Sequence, residues 1–160
     1  MSTEPTHSLR VSRVIQADVE TVFRAWTEPS QLKLWSCPEG ATVDDASVDL
    51  SVGGAYRIRM KGEEGFWTAV GVYREIDPPK RLVYTWDWEE KAVKMSKHDR
   101  LGSADETVVT VDFSARDGGT EVVVTHTLFP SLEAKDGHLA GWVGCLDKLE
   151  RLETFRSRDV

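Results

Sequence analysis

The 160-residue chain has two cysteines, Cys37 and Cys145, and no CxxC pair. They are too few and too far apart for a disulfide framework or a structural zinc site, so both are expected to be free thiols in a reducing compartment. No stretch approaches the ~18 consecutive apolar residues of a membrane span. The start, Met1 to His7, carries Glu4 and Pro5 where a signal peptide needs a basic start and an apolar run. The expectation is a cytoplasmic protein with no membrane association. Basic residues are in deficit: 20 Lys and Arg against 27 Asp and Glu leave a net charge of −7. That charge repels phosphate backbones and anionic lipid unless a basic patch is segregated on one face, which disfavours nucleic acid as a partner.

Motifs that announce chemistry are also missing. There is no GxSxG, no phosphate-cradling GxxxxGK and no GxGxxG after a strand; Gly53-Gly54 and Gly118-Gly119 read as hairpin turns. The histidines are dispersed, with His7 in the tail, His98 in a long loop, His126 in a strand and His138 near the start of the last helix, and none forms an HxxxH or HExxH spacing. No metal, no cofactor and no catalytic residue is assigned. What the chain does have is tryptophan, six among fourteen aromatics, in a composition of 40% hydrophobic and 29% charged residues typical of a globular protein. Each such ring can bury about 150–250 Å², and each indole N–H wants a partner.

The hydrophobic periods divide the chain. Residues 1–7 read as a flexible tail and 8–157 as a single domain. A first strand is expected at 9–15, followed by a helix capped by Asp18 with Val22, Phe23 and Trp26 at helical spacing, and a second short helix at 30–35 after Pro29. From there to Phe129 the period is two. Strands are expected at 42–50, 55–60, 66–76, 82–88, 106–114 and 120–129, with a firm turn at Asp77-Pro78-Pro79-Lys80 and a hairpin at Asp117-Gly118-Gly119. Inner faces are assigned to Tyr56, Ile58 and Met60; to Val70, Val72 and Ile76; to Leu82, Tyr84, Trp86 and Trp88; to Val109, Val111 and Phe113; and to Val122, Val124, His126 and Leu128. The phase of Trp67 is open. Residues 89–104 have neither period and read as a long solvated loop, with a lid or a partner contact as the alternative. Leu139, Trp142, Val143, Leu146, Leu149 and Leu152 trace a last amphipathic helix, opened by Ser131 and running to about Phe155.

This order, strand, two helices, six strands and a helix, gives an α+β fold in which a curved antiparallel sheet of six to seven strands wraps the long C-terminal helix. Several segments, in order, resemble the START-like SRPBCC superfamily: ADVETVFRAWTEP at 17–29, LW at 34–35, VGGAY at 52–56, EIDPPKRLVYTW at 75–86, GTE at 119–121 with TH at 125–126, GW at 141–142 and LDKL at 146–149. Within it, they are most similar to the branch homologous to the activator of the heat-shock-protein-ninety ATPase. The resemblance covers roughly 8–155. It implies a helix-grip fold with a deep cavity between sheet and helix, in a superfamily of lipid and steroid carriers, hormone receptors, cyclases and co-chaperone domains. Shared fold does not transfer activity.

The candidate ligand-binding residues are Tyr56, Ile58, Met60, Tyr84, Trp86, Trp88, Val109, Val111, Phe113, His126, Trp142 and Leu146. They have the character of an apolar concavity with a few polar groups, and equally of a filled core. His126 is open to two readings, a ligand contact or acid/base group and a core histidine satisfied by a hydroxyl or carbonyl. Cys145 reads as a small buried hydrophobe. Gly137, Gly141 and Gly144 weaken the helix by about 1 kcal/mol each relative to Ala, and either admit a close backbone contact or let the helix end flex. The expected function is binding of a small apolar or aromatic molecule without catalysis. The alternatives are a chaperone-associated interaction module and a cyclase- or hydrolase-type enzyme using His126; a homodimer through an exposed sheet face or edge carries no signature.

Overall fold

A computed structural model describes residues 7–63, 65–89 and 106–152; the expected long loop and the end of the last helix lie largely outside these. The strands are β1 (His7–Ile15), β2 (Thr42–Val48), β3 (Ala55–Gly62), β4 (Gly65–Asp77), β5 (Arg81–Trp88), β6 (Thr107–Arg116) and β7 (Gly119–Phe129). The helices are α1 (Val19–Thr27), α2 (Pro29–Trp35) and α3 (Leu132–Glu150). The strands form one open antiparallel sheet in the order β1-β7-β6-β5-β4-β3-β2. The fold is α+β, in the helix-grip arrangement.

Local chemistry sets the helix boundaries. The Asp18 carboxylate accepts from the Thr21 backbone N–H at 2.8 Å, and the Ser131 hydroxyl accepts from that of Ala134 at 3.0 Å. Each satisfies an otherwise orphaned first-turn donor. Pro29 opens α2, where its missing N–H is no loss. The two short helices are locked by the Trp35 indole, which donates to the Ala25 carbonyl at 3.0 Å and lies 4.5 Å from the Trp26 ring. α3 spans Leu132–Glu150, and Phe155, where its end is expected, lies outside the described residues.

Two inner-face assignments are corrected. In β4 the buried residues are Thr68, Ala69 and Tyr73, while Val72 is exposed. The register explains it: Ala69 lies opposite Ile58 and Gly71 opposite Tyr56, and residues directly opposite share a face. Val70 and Val72 therefore point outward, whereas Ile76 packs against the core beyond the irregularity between Tyr73 and Glu75. Any Cβ at Gly71 would collide with the Thr85 carbonyl; the opposing Tyr56 donates its hydroxyl to that same carbonyl at 2.6 Å. Trp67 shares the face of Met60 but is 43% exposed.

At the end of β7, Leu128 adopts a positive φ of 74° and is exposed, while Phe129 is buried. The β1–β7 register shifts at this point, between His7 and Leu9. A bulge of this kind reverses side-chain parity, and it sets the Phe129 ring 4.3 Å from His126. The remaining inner faces fall as the alternation requires. α3 packs most closely on β1, with further contact to α2 and β7, and stands off from β3, β4 and β5.

Candidate functional site

The gap between α3 and the β3–β5 part of the sheet is a cavity of about 400 Å³, within the range of small-molecule sites. It exists because of a size pattern on α3. Ala134, Gly137, His138, Gly141, Trp142 and Cys145 all line it, and their spacing of three and four residues places them on one helical face. Four of the six are small. A Cβ at Gly137 would meet nothing within 4 Å, and one at Gly141 only Pro38 at 3.9 Å, so these glycines hold space open rather than admit a close backbone. Gly144 is different: its Cβ would lie 3.0 Å from the Glu39 backbone nitrogen, and there the helix does meet the segment after α2.

Seven of the twelve candidate residues line the cavity: Tyr56, Ile58, Met60, Tyr84, Trp86, Trp88 and Trp142. The other five, Val109, Val111, Phe113, His126 and Leu146, are buried in the core but are not part of the cavity wall. They lie on β6, β7 and the later half of α3. Sequence reasoning missed Trp26 and Trp35 of the two short helices, and Tyr73, which was lost with the phase of β4; all three line the cavity. It also missed Leu32, Ser36 and Pro38 from α2 and its exit, and Glu133, Ala134 and His138 from the start of α3. The signal for the α3 residues was present in the small-residue stripe, one helical face over from the leucines.

His126 is held on both sides. The Trp142 indole can only donate, so at 3.0 Å the His126 Nδ1 accepts. The neutral ring then carries its proton on Nε2 and donates to the Thr107 hydroxyl at 2.6 Å, which in turn donates to the Trp86 carbonyl at 3.0 Å. Burial, reinforced by the neighbouring His138, pushes the His126 pKa down to about 3. The imidazole is a neutral structural link, the arrangement expected of a core histidine. His138 sits nearer the opening: its Nε2 accepts from the Trp88 indole at 3.1 Å, which leaves Nδ1 to donate to the Ala134 carbonyl at 2.8 Å.

The phenols and the Cys145 thiol here are protonated. Burial holds the Tyr56, Tyr73 and Tyr84 hydroxyls well above the usual phenol range, and pushes the Cys145 thiol up to about 12, outweighing the opposing pull of Lys148. A thiol that does not ionise is a poor nucleophile. The Trp26 indole donates to the Tyr84 hydroxyl at 3.1 Å. Lys148 ties α3 to the segment after α2, its ammonium donating to the carbonyls of Pro38 at 2.8 Å and Ala41 at 2.9 Å and lying 3.1 Å from the Cys37 sulfur. No group of three or more potential metal ligands occurs among the described residues, and no helix among them is long and apolar enough to cross a membrane. This arrangement can enclose an apolar molecule.

A model of the family described as Activator of Hsp90 ATPase homolog 1-like protein matches residues 16–153. Among solved structures, a Chromobacterium violaceum protein is similar over 90% of this chain and 95% of its own, at 24% identity and a TM-score of 0.75. An AHSA1 protein from Silicibacter pomeroyi is similar over the same shares, at 24% identity and a TM-score of 0.73. A Rhizobium leguminosarum protein covers 96% of both chains at 26% identity and a TM-score of 0.73. No curated protein matches significantly.

Proposed function

The chain belongs to the Activator of Hsp90 ATPase homolog 1-like family, and from the cavity that its fold encloses we propose that it binds a small hydrophobic or aromatic molecule between β3–β5 and α3, without transforming it. The observation that carries this reading is the cavity itself, about 400 Å³ and walled largely by aromatic rings, five of them tryptophan. A core under no demand to stay open fills such a space, because each unfilled contact forfeits dispersion energy. The wall is apolar where a ligand would rest, and burial keeps its phenols and the Cys145 thiol un-ionised. His126 serves this reading by fixing Trp142. A cytoplasmic location belongs to the same proposal.

Titration with a panel of sterols, fatty acids and polycyclic aromatics, followed by tryptophan fluorescence, tests it. Saturable binding is expected for at least one class, and its loss in Gly141→Leu, which places a side chain in the open space, locates the site. Absence of binding across the panel rejects the reading. The family description favours a second reading, an interaction module acting on a heat-shock chaperone ATPase. A chaperone ATPase rate unchanged by the purified protein removes it.

A further inference from the structure

Among the described residues only two buried side-chain polar atoms lack a hydrogen-bond partner, Thr21 Oγ1 and Trp86 Nε1. Thr21 is not part of the cavity wall; Trp86 is. The contrast with the other indoles is informative. Trp26, Trp35, Trp88 and Trp142 each donate to a named acceptor at 3.0–3.1 Å, and Trp67 is exposed. The Trp86 ring is instead surrounded by other rings, with Trp88 edge-on at 5.5 Å, His126 at 5.8 Å and Trp142 at 5.9 Å. Its N–H is buried, and none of these rings accepts from it. His126 cannot serve, since its Nδ1 is taken by Trp142 and its Nε2 by Thr107.

Resting on the binding reading above, we propose that the occupant is an uncharged aromatic molecule carrying a hydrogen-bond acceptor, such as a carbonyl oxygen, which inserts among these rings and accepts from Trp86 Nε1. Charge narrows the class further. The lining holds one charged side chain, Glu133, on the exposed first turn of α3, and no lysine or arginine. A carboxylate drawn inward would meet no cation, and burying an unpaired charge is far more costly than burying a carbonyl that finds its donor. An ammonium would meet the positive end of the indole N–H. The rings select flat partners by stacking and edge contacts.

Two compounds of matched shape separate the donor from the cavity. Diphenylmethane tests binding alone, and benzophenone adds one carbonyl acceptor. Affinities for both are measured by calorimetry on the full chain and on Trp86→Phe, which keeps a ring and removes the N–H. The benzophenone-to-diphenylmethane affinity ratio is expected to fall by at least about tenfold in Trp86→Phe, equivalent to roughly 1.4 kcal/mol. 4-Benzoylbenzoate is expected to bind the full chain more weakly than benzophenone. In the unaltered protein, the Trp86 indole N–H resonance should move with benzophenone and much less with diphenylmethane, a readout independent of how the variant folds. A ratio unchanged in Trp86→Phe, or an indole resonance that responds equally to both compounds, overturns the donor assignment and leaves the binding reading standing. Tighter binding of the benzoate overturns the neutral class. If neither compound saturates the protein, the binding reading falls and takes this proposal with it.

Discussion

Two halves of one sheet face the same helix and end differently. On β6 and β7 the inner residues are Val109, Val111, Val122 and Val124, all 0% exposed; α1 lies against both strands and α3 against β1 and β7, its later part carrying Leu146 and Leu149, also 0% exposed. On β3 and β5 the inner residues are large and include Tyr56, Tyr84, Trp86 and Trp88, yet the facing part of α3 supplies Ala134, Gly137, Gly141 and Cys145, and a cavity remains. Filling thus depends on complementarity across the gap rather than on side-chain size. Branched aliphatics pack into a filled core; rings held in place by hydrogen bonds, with glycines among the residues facing them, leave a space. The change comes between Cys145 and Leu146, adjacent residues on one helix.

The most forceful way to break this comparison is to cut matching holes in both halves. Leu146→Ala is expected to cost about 3–4 kcal/mol, as a fully enclosed leucine leaves a new cavity behind. Ile58→Ala, on the cavity wall, is expected near the lower end of the range, about 2 kcal/mol, because the removed atoms already faced space on one side. Urea denaturation measures both. Equal costs would mean that the cavity is closed by repacking in solution.

The second effect is a pH dependence seated at the junction. His126 has a folded pKa depressed to about 3 from a reference of 6.5. Between those values the unfolded chain takes up a proton that the folded chain refuses. The stabilisation is therefore complete above pH 6.5 and is lost as pH falls toward 3, at a slope approaching 1.4 kcal/mol per pH unit. His126→Leu should be less stable at pH 7, since it orphans the Trp142 indole and the Thr107 hydroxyl, yet its stability should fall less steeply between pH 6.5 and 4, by about one proton. Denaturation series at several pH values read both; an unchanged acid slope would mean that His126 is protonated in the folded state.

The filled half was easier to read from sequence than the hollow half, for a physical reason. Alternation in β6 and β7 and the leucine spacing of α3 are direct consequences of burial against a partner, so Val109, Val124 and Leu146 could be placed by period alone. A cavity is a relation between two distant segments, and the period of one strand does not say whether the opposing helix is bulky. Trp86 and Trp88 were therefore placed on the inner face, where they line the cavity, while Val109 and Leu146, given the same role, are buried off its wall. The errors at Val72 and Leu128 have a different origin. Gly71 lets Tyr56 reach across to β5 and the bulge at Leu128 shifts parity, and both are departures from regular pleating that depend on a neighbouring strand. The glycines of α3 were noticed as a weakness of the helix; their function as spacers follows only when Trp86 and Tyr84 are set opposite them.

Those glycines give a smaller effect of opposite sign. Gly141→Ala adds a methyl with Pro38 as its nearest contact, at 3.9 Å, and should stabilise the protein by about 1 kcal/mol through helix propensity. Gly144→Ala meets the Glu39 backbone nitrogen at 3.0 Å, so its propensity gain should be offset or reversed. Thermal denaturation of the pair sharpens the comparison: two alanines three residues apart on one helix, one entering open space and one meeting backbone. Equal gains would show that the segment after α2 yields readily.

The smallest expected effects come from ion pairs that tie α3 to either side. Arg13 on β1 reaches Asp147 at 3.2 Å and Glu150 at 3.4 Å, its side chain 25% exposed. Arg151 reaches Glu39 at 3.0 Å with both partners more than half exposed. Exposed pairs contribute about 0–1 kcal/mol and fade with salt. Arg13→Gln should cost several tenths of a kcal/mol at low salt, since one guanidinium serves two carboxylates and is partly shielded. Arg151→Gln should cost less, because Lys148 already anchors the same segment through the Pro38 and Ala41 carbonyls. If Arg151→Gln proves the more damaging, the cavity side of the helix depends on its surface tether, and the redundancy assigned to Lys148 is wrong.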